Sequence, residues 1–264
     1  MALLGTEAAL SSLLMFRRAA LALVLSVLAA LPRTLAAAEE VDLKLVLAAD
    51  VSRSVDEREF ALQRQGYAAA FRDPRVMRAI RSGPLGRIAV CFFEWSGTES
   101  HRVIIDWTVI GDGESADYFA ERLLVEPRSA ANRTAIGAAI DASVRLLDTT
   151  VVESERRVID VSGDGTNTNG RPPVLARDDA VAAGITINAL VILSPEPMPW
   201  NPEHTHPPGG LENYFKLNVI GGPGAFTMVV EGFESFAEAI TQKLVKEIAL
   251  DGGAAILAQG PDRR

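Results

Sequence analysis

Apolar residues along this chain come in blocks of strand length, each followed by a stretch with helical spacing. Residues 43–49 are apolar except for Lys44 and stop at Asp50, as expected of a strand buried on both faces of a parallel sheet. From 56 to 71 the positions Phe60, Tyr67, Ala68 and Phe71 fall at helical spacing, and Asp56, Glu57 and Glu59 occupy the first turn, where the helix dipole favours acids. A strand therefore feeds a helix. Residues 87–94 and 101–107 are two more apolar runs separated by the turn-like Trp95-Ser-Gly-Thr-Glu-Ser100, which predicts a short antiparallel pair.

The alternation continues to the end of the chain. Helical patterns cover 115–124 and 134–147, the second with Ile136, Ile140, Val144 and Leu147 along one face. Residues 157–162 predict a strand ending at Gly163-Asp164-Gly165, 172–183 a helix entered by proline and stopped by Gly184, and 185–193 a further long strand. Residues 225–230 and 233–250 predict a last strand and helix, while the proline-rich 194–210 reads as a loop without a regular pattern. The expected fold is α/β: a mostly parallel, six-stranded, doubly wound sheet with helices on both faces and one short antiparallel edge strand.

The first 38 residues stand outside this pattern. Arg17 and Arg18 precede an apolar run over 19–31, followed by Pro32 and Ala36-Ala37-Ala38, which predicts a signal peptide cleaved after Ala38. The run is shorter than the roughly 20 residues that span a bilayer. The arginine pair alone lends little support to twin-arginine export. The organisation read from the sequence is a signal peptide over 1–38, a single domain over 39–250 and a loose tail over 251–264. Export into a periplasm or to the exterior follows from that reading.

Charge narrows the partners. The full chain carries 26 basic and 34 acidic residues, a net of −8; without residues 1–38, which hold three Arg and one Glu, 23 basic and 33 acidic residues leave −10. Such a field disfavours nucleic acid and anionic lipid and gathers cations. The single cysteine, Cys91, lies in an apolar run and forms no internal disulfide, a pattern compatible with a bacterial periplasm.

Ligands of open α/β sheets bind beyond the carboxyl ends of the strands, and Asp50 and Asp164 both fall there. Asp50-x-Ser52-x-Ser54 can turn a carboxylate and two hydroxyls toward one point, with Thr134 supplying another hydroxyl and Asp164 another carboxylate. A hard divalent cation such as magnesium takes oxygen ligands and keeps waters, so few carboxylates are required. None of these residues is specific alone, since Asp and Ser crowd capping loops for backbone reasons.

Taken together, Asp50-x-Ser52-x-Ser54, a later Thr134 and Asp164 in Ser-Gly-Asp-Gly resemble the metal-ion-dependent adhesion site of von Willebrand factor A domains. The resemblance extends over about 41–250, and Ile159-Asp-Val-Ser-Gly-Asp-Gly together with Asn218-Val-Ile-Gly-Gly-Pro-Gly-Ala-Phe is similar to a bacterial A-like family of uncharacterised function. It implies that Ser52, Ser54 and Thr134 coordinate Mg2+ or Mn2+ directly, that Asp50 and Asp164 act directly or through water, and that one position stays open for the carboxylate of a protein partner.

Other polar residues read more plainly. Asp160, inside an apolar strand, is expected to be a hydrogen-bonded structural aspartate. Thr166, Asn167, Thr168 and Asn169 read as turn formers that rim the site. His204 and His206 lack a third ligand for zinc or copper and read as solvent-exposed loop histidines, while Trp200 reads either as an interface anchor or as cover for a sheet edge. There is no Gly-x-Ser-x-Gly elbow, no Walker loop and no histidine next to the motif, so the expectation is a metal-dependent protein-binding module and not an enzyme. A metal-dependent hydrolase or phosphatase, and a scaffold subunit of an envelope assembly, are the alternatives.

Overall fold

The computed structural model describes residues 38–129 and 133–249. The expected signal peptide, apart from Ala38, and the expected tail lie outside the described residues. Six strands form one sheet: β1 (Lys44–Asp50), β2 (Ile88–Trp95), β3 (His101–Ile110), β4 (Arg157–Gly163), β5 (Thr186–Leu193) and β6 (Thr227–Glu231), in the order β3-β2-β1-β4-β5-β6. All pairings are parallel except β2 with β3. This is the doubly wound architecture that the block pattern predicts. The antiparallel edge strand is not short, however: β3 runs for 10 residues, because the pairing with β2 continues past Trp107 to Ile110.

Two apolar layers follow from the two-residue period of β1. Leu45, Leu47 and Ala49 pack with one layer of helices: α1 (Glu57–Arg72), α2 (Pro74–Arg81), α3 (Gly113–Val125) and α8 (Phe236–Ile248). Val46 and Ala48 point the other way, toward α4 (Ile136–Thr149), α5 (Pro173–Ala182) and α7 (Leu211–Asn218). A one-turn helix, α6 (Pro202–Thr205), interrupts the proline-rich segment that the sequence leaves without pattern. Neither α2 nor α7 emerges from the sequence pattern. Yet α2 carries Asp73 as a capping side chain and Pro74 in its first turn, both ordinary start signals.

The chain enters α1 through a reciprocal cap. Asp56 Oδ1 accepts from the Glu59 amide at 2.8 Å and Glu59 Oε2 accepts from the Asp56 amide at 2.8 Å, which satisfies two amides that an uncapped helix leaves open. That cap fixes where the β1–α1 loop ends.

Among the described residues, buried charges are paired in two places. Arg64 of α1 donates from Nε and Nη2 to Glu94 Oε1 at 3.0 and 2.7 Å and from Nη1 to the Leu123 carbonyl at 2.6 Å. Between β4 and α8, Lys243 Nζ lies 2.6 Å from Asp160 Oδ1 and 2.5 Å from Glu247 Oε1, all three side chains being shut off from solvent. Asp160 is thus buried within the sheet as expected, but an ion pair with Lys243 holds it and not the hydrogen bonds that its mid-strand position suggests. No helix among the described residues is long and apolar enough to cross a membrane.

Candidate metal centre

Strand order reverses at β1: the chain leaves β1 for α1 on one face of the sheet and leaves β4 for α5 on the other. The loops leaving β1 and β4 must part there, which opens a crevice at their carboxyl ends. Asp50 closes β1, and Asp164 follows β4 directly. Gly163, between β4 and Asp164, lets the two loops approach: a Cβ there would stand 3.3 Å from Asp50 Oδ2.

A chain of polar contacts joins the two loops. Asp50 Oδ1 accepts from the Ser52 amide at 2.7 Å, Ser52 Oγ and Ser54 Oγ are 3.0 Å apart, and Ser54 Oγ donates to Asp164 Oδ1 at 2.7 Å. The Val55 amide closes a turn on the Ser52 carbonyl at 3.1 Å. Gln63 of α1 donates to the Asp50 carbonyl at 3.2 Å. Asp50 Oδ2 is buried with no hydrogen-bond partner, an expensive state for a carboxylate oxygen.

Thr134 reaches the crevice from the segment before α4. Its amide donates to Thr168 Oγ1 at 3.1 Å, and its carbonyl accepts from the amides of Thr168 and Asn169 at 2.8 and 3.2 Å. The Ala135 amide donates to the Ser96 carbonyl at 2.7 Å, so the residue that follows β2 fixes the same segment. Thr134 and Ser54 line one cavity of about 410 Å³. Of the five residues expected here, four are joined by direct hydrogen bonds, and the fifth, Thr134, shares a cavity with one of them, Ser54.

Electrostatics disfavour two charged carboxylates side by side. Burial, then the nearby charge of Asp164, raises the Asp50 carboxyl well above the ordinary carboxylate range. Burial likewise pushes Asp164 up to about 6, against the pull of the Ser54 hydroxyl. Two confined carboxylates that disfavour each other's charge, one with an unsatisfied oxygen, suit a cation. Among the described residues no three His, Cys, Asp or Glu side chains gather into a metal cluster. A cation here would rest on two carboxylates, hydroxyls and water, a hard-oxygen set that fits magnesium or manganese better than a soft metal.

A family model described as "Protein of unknown function (DUF1194)" matches residues 40–251. The chain belongs to the DUF1194 family. No curated protein matches its sequence.

Solved structures establish the fold of this DUF1194 protein as von Willebrand factor A-like. The pilus adhesin SpaC from Lactobacillus rhamnosus GG aligns with a TM-score of 0.57 at 11% identity, over 79% of this chain and 31% of that one. Proximal thread matrix protein 1 of the mussel byssus gives 0.52 at 14% identity, over 80% of this chain and 46% of that one. A von Willebrand factor type A protein from Catenulispora acidiphila gives 0.52 at 14% identity, over 79% of this chain and 43% of that one. The DUF1194 chain therefore spans less than half of each of these. A further structure of the mussel protein is described with a zinc-occupied MIDAS motif.

One sequence expectation is overturned within the site. His204 is not a solvent-exposed loop residue: it is 4% exposed, with Nε2 3.4 Å from Thr134 Oγ1 and Nδ1 3.4 Å from Thr166 Oγ1. The loop folds inward because Gly165 leaves room for the ring; a Cβ on that glycine would stand 2.2 Å from it. A histidine is thus adjacent to the motif after all, brought there from 70 residues away. Trp200 is exposed, with the Arg53 guanidinium 5.7 Å from its ring centre. Trp200, Met198, Arg53 and Ser54 also line a second cleft of about 440 Å³ beside Asp164.

Two further supports of the site escape a sequence reading. Glu94 Oε2 accepts from the Ser129 amide at 2.8 Å, and Arg128 donates from Nη2 to the carbonyls of Val55 and Val51 at 2.6 and 3.3 Å. The segment 126–129 thereby braces the loop that carries Ser52 and Ser54.

Proposed function

We propose that this DUF1194 protein is an exported, metal-dependent protein-binding module. In this reading Ser52, Ser54 and Thr134 hold a divalent cation, Mg2+ or Mn2+, directly. Asp50 and Asp164 act directly or through water, and a carboxylate on a protein partner completes the coordination. The observation that carries it is the Asp50–Ser52–Ser54–Asp164 relay, half-buried at Ser54, with the buried and unpartnered Asp50 Oδ2. The cation supplies an electrophile to which an acidic side chain binds. The protein's part is to present few charges, so that this electrophilic character survives, and metal and partner then bind cooperatively. Export rests on the signal-like residues 1–38, and the fold neighbours named as an adhesin and a matrix protein support a binding role.

Calorimetric titration of the purified protein with MgCl2 and MnCl2, beside Asp50→Ala, tests the site. Saturable binding by the wild type, lost in the variant, is expected; equal affinity in both would overturn the reading. Cross-linking in the native envelope with and without chelator then tests the partner.

The approach of His204 to Thr134 gives a hydrolytic reading its one specific support, since a nucleophile beside a base is how such chemistry begins. Against it, His204 Nδ1 faces the Thr166 hydroxyl and not a carboxylate that would orient a base. Turnover of generic phosphate or ester substrates that vanishes in Thr134→Ala would reverse the preference.

A further inference from the structure

His204 is a buried polar side chain beside the site that the binding reading leaves unused. Its position is set three ways: its carbonyl accepts from the Thr166 amide at 2.9 Å, its own amide donates to the Asn201 carbonyl at 3.0 Å, and its ring occupies the space Gly165 vacates. The two ring nitrogens each face a threonine hydroxyl, Nε2 toward Thr134 and Nδ1 toward Thr166, both at 3.4 Å. A neutral imidazole has one donor and one acceptor nitrogen, whereas a hydroxyl has one proton and two lone pairs. If Nδ1–H donates to Thr166, then Nε2 accepts the Thr134 proton, and both Thr134 lone pairs turn away from the ring.

We propose that His204 is a positioning residue for the cation site: it accepts a hydrogen bond from the Thr134 hydroxyl, which would leave that oxygen's lone pairs free for a cation, and it ties the segment 194–210 to the site. The inference rests on the assignment of Thr134 as a ligand. Groups that orient a ligand in this way matter nearly as much as the ligands, and their loss weakens metal binding by about 10- to 100-fold. The tie to the segment has a visible path. Thr205, next to His204, accepts the Met198 amide at 3.1 Å on its Oγ1. Met198 and Trp200 in turn form a wall shared by the two clefts that open on Ser54.

The experiment is Mn2+ titration of the purified full-length chain, followed by calorimetry, with the melting temperature in excess chelator recorded for every variant. His204→Leu keeps bulk against Gly165 but has no acceptor, and should bind Mn2+ about 10- to 100-fold more weakly. His204→Gln places its amide where Nε2 stood and should recover most of the affinity. His204→Asn, whose amide reaches only the Nδ1 position, should not. A merely structural histidine would not separate Gln from Asn in this order. Wild-type affinity in His204→Leu, or equal affinity in the Gln and Asn variants, would overturn the inference; the Gln and Asn pair decides it even if the leucine variant does not fold. Failure of the underlying reading has a different signature, namely no Mn2+ binding by the wild type or no loss in Asp50→Ala, and it takes the inference with it.

Discussion

Ser54 Oγ donates a 2.7 Å hydrogen bond to Asp164 Oδ1, joining two loops whose residues are 110 positions apart in the chain. A hydroxyl has a single proton, so at the 3.0 Å contact between Ser52 Oγ and Ser54 Oγ it is Ser52 that donates. Protons therefore run one way, from Ser52 through Ser54 to Asp164, and the carboxylate is the sink.

Ser54→Ala breaks that relay in the middle. Without the donor, the Asp164 carboxyl should rise further from its ordinary range, and the cation site loses a hydroxyl. We expect Mn2+ affinity to fall by roughly 10-fold or more, with a change of only about 1 kcal/mol in the stability of the cation-free protein, the usual net value of one hydrogen bond. Calorimetry and chemical denaturation in chelator measure the two separately.

Asp50→Asn separates stability from function. The side-chain amide can keep the oxygen that accepts from the Ser52 backbone amide, while the buried charge, raised in energy by burial and by Asp164, is gone. In chelator the variant should melt above the wild type, by about 2–4 °C for each kcal/mol relieved in a domain of this size. In excess Mn2+ the order should reverse, because a cation stabilises only a protein that binds it.

How much of this could be read from the residues alone depended on distance along the chain. Asp50, Ser52, Ser54 and Asp164 announce themselves because an apolar run ends at each loop, and strand ends are where such sheets bind ligands. His204 did not, since prolines on both sides suggest an exposed loop and the cause of its burial is the missing side chain of Gly165. Arg64, Glu94, Lys243 and Glu247 look like ordinary surface charges in helical or strand contexts. Only tertiary packing reveals that Arg64 and Glu94 pair across the first layer and that Lys243 faces Asp160 on the sheet. Helix α7 was invisible for a related reason: its first buried residue, Leu211, follows Gly209 and Gly210, which read as loop.

The Arg64–Glu94 pair should dominate the stability of the first layer. Both side chains are buried, and Glu94 also holds the Ser129 amide. Glu94→Ala leaves the guanidinium buried between the Phe60 and Phe92 rings without its carboxylate, with the Leu123 carbonyl as hydrogen-bond acceptor, a situation that costs about 3–5 kcal/mol. Urea denaturation of the cation-free protein measures it. The same variant should loosen 126–129, and through Arg128 the loop of Ser52 and Ser54, so faster amide exchange at Val55 is expected as well.

The Asp160–Lys243–Glu247 cluster should make stability fall as pH rises. It buries two carboxyls against one ammonium; burial first, then the Asp160 charge, pushes Glu247 up to about 7 from 4.5, and burial raises Asp160 too. Between those two values the folded protein keeps a proton that the unfolded chain has lost. The contribution is therefore fully present below about 4.5 and is lost as pH rises through about 7. Its size is on the order of 1–3 kcal/mol. Glu247→Gln can still pair through its amide oxygen with Lys243 and should flatten this part of the stability profile measured in chelator; an unchanged slope would show that the proton is held elsewhere.

Gly165→Ala tests the packing that brings His204 inward. The backbone of Gly165 is not in the left-handed region, so alanine strains nothing by conformation alone, and any effect must come from the 2.2 Å approach of its Cβ to the imidazole. The ring cannot stay where it is. Moving it breaks the contacts with Thr134 and Thr166 and pulls on the Met198 amide through Thr205. Overpacking of this kind costs about 1–3 kcal/mol, which chemical denaturation would register. If His204 acts on the cation through Thr134, the same methyl group should also weaken Mn2+ binding. Adding His204→Leu to Gly165→Ala should then cost little more affinity than either change alone, since both remove the same hydrogen bond, and additive losses would show that the two residues act independently.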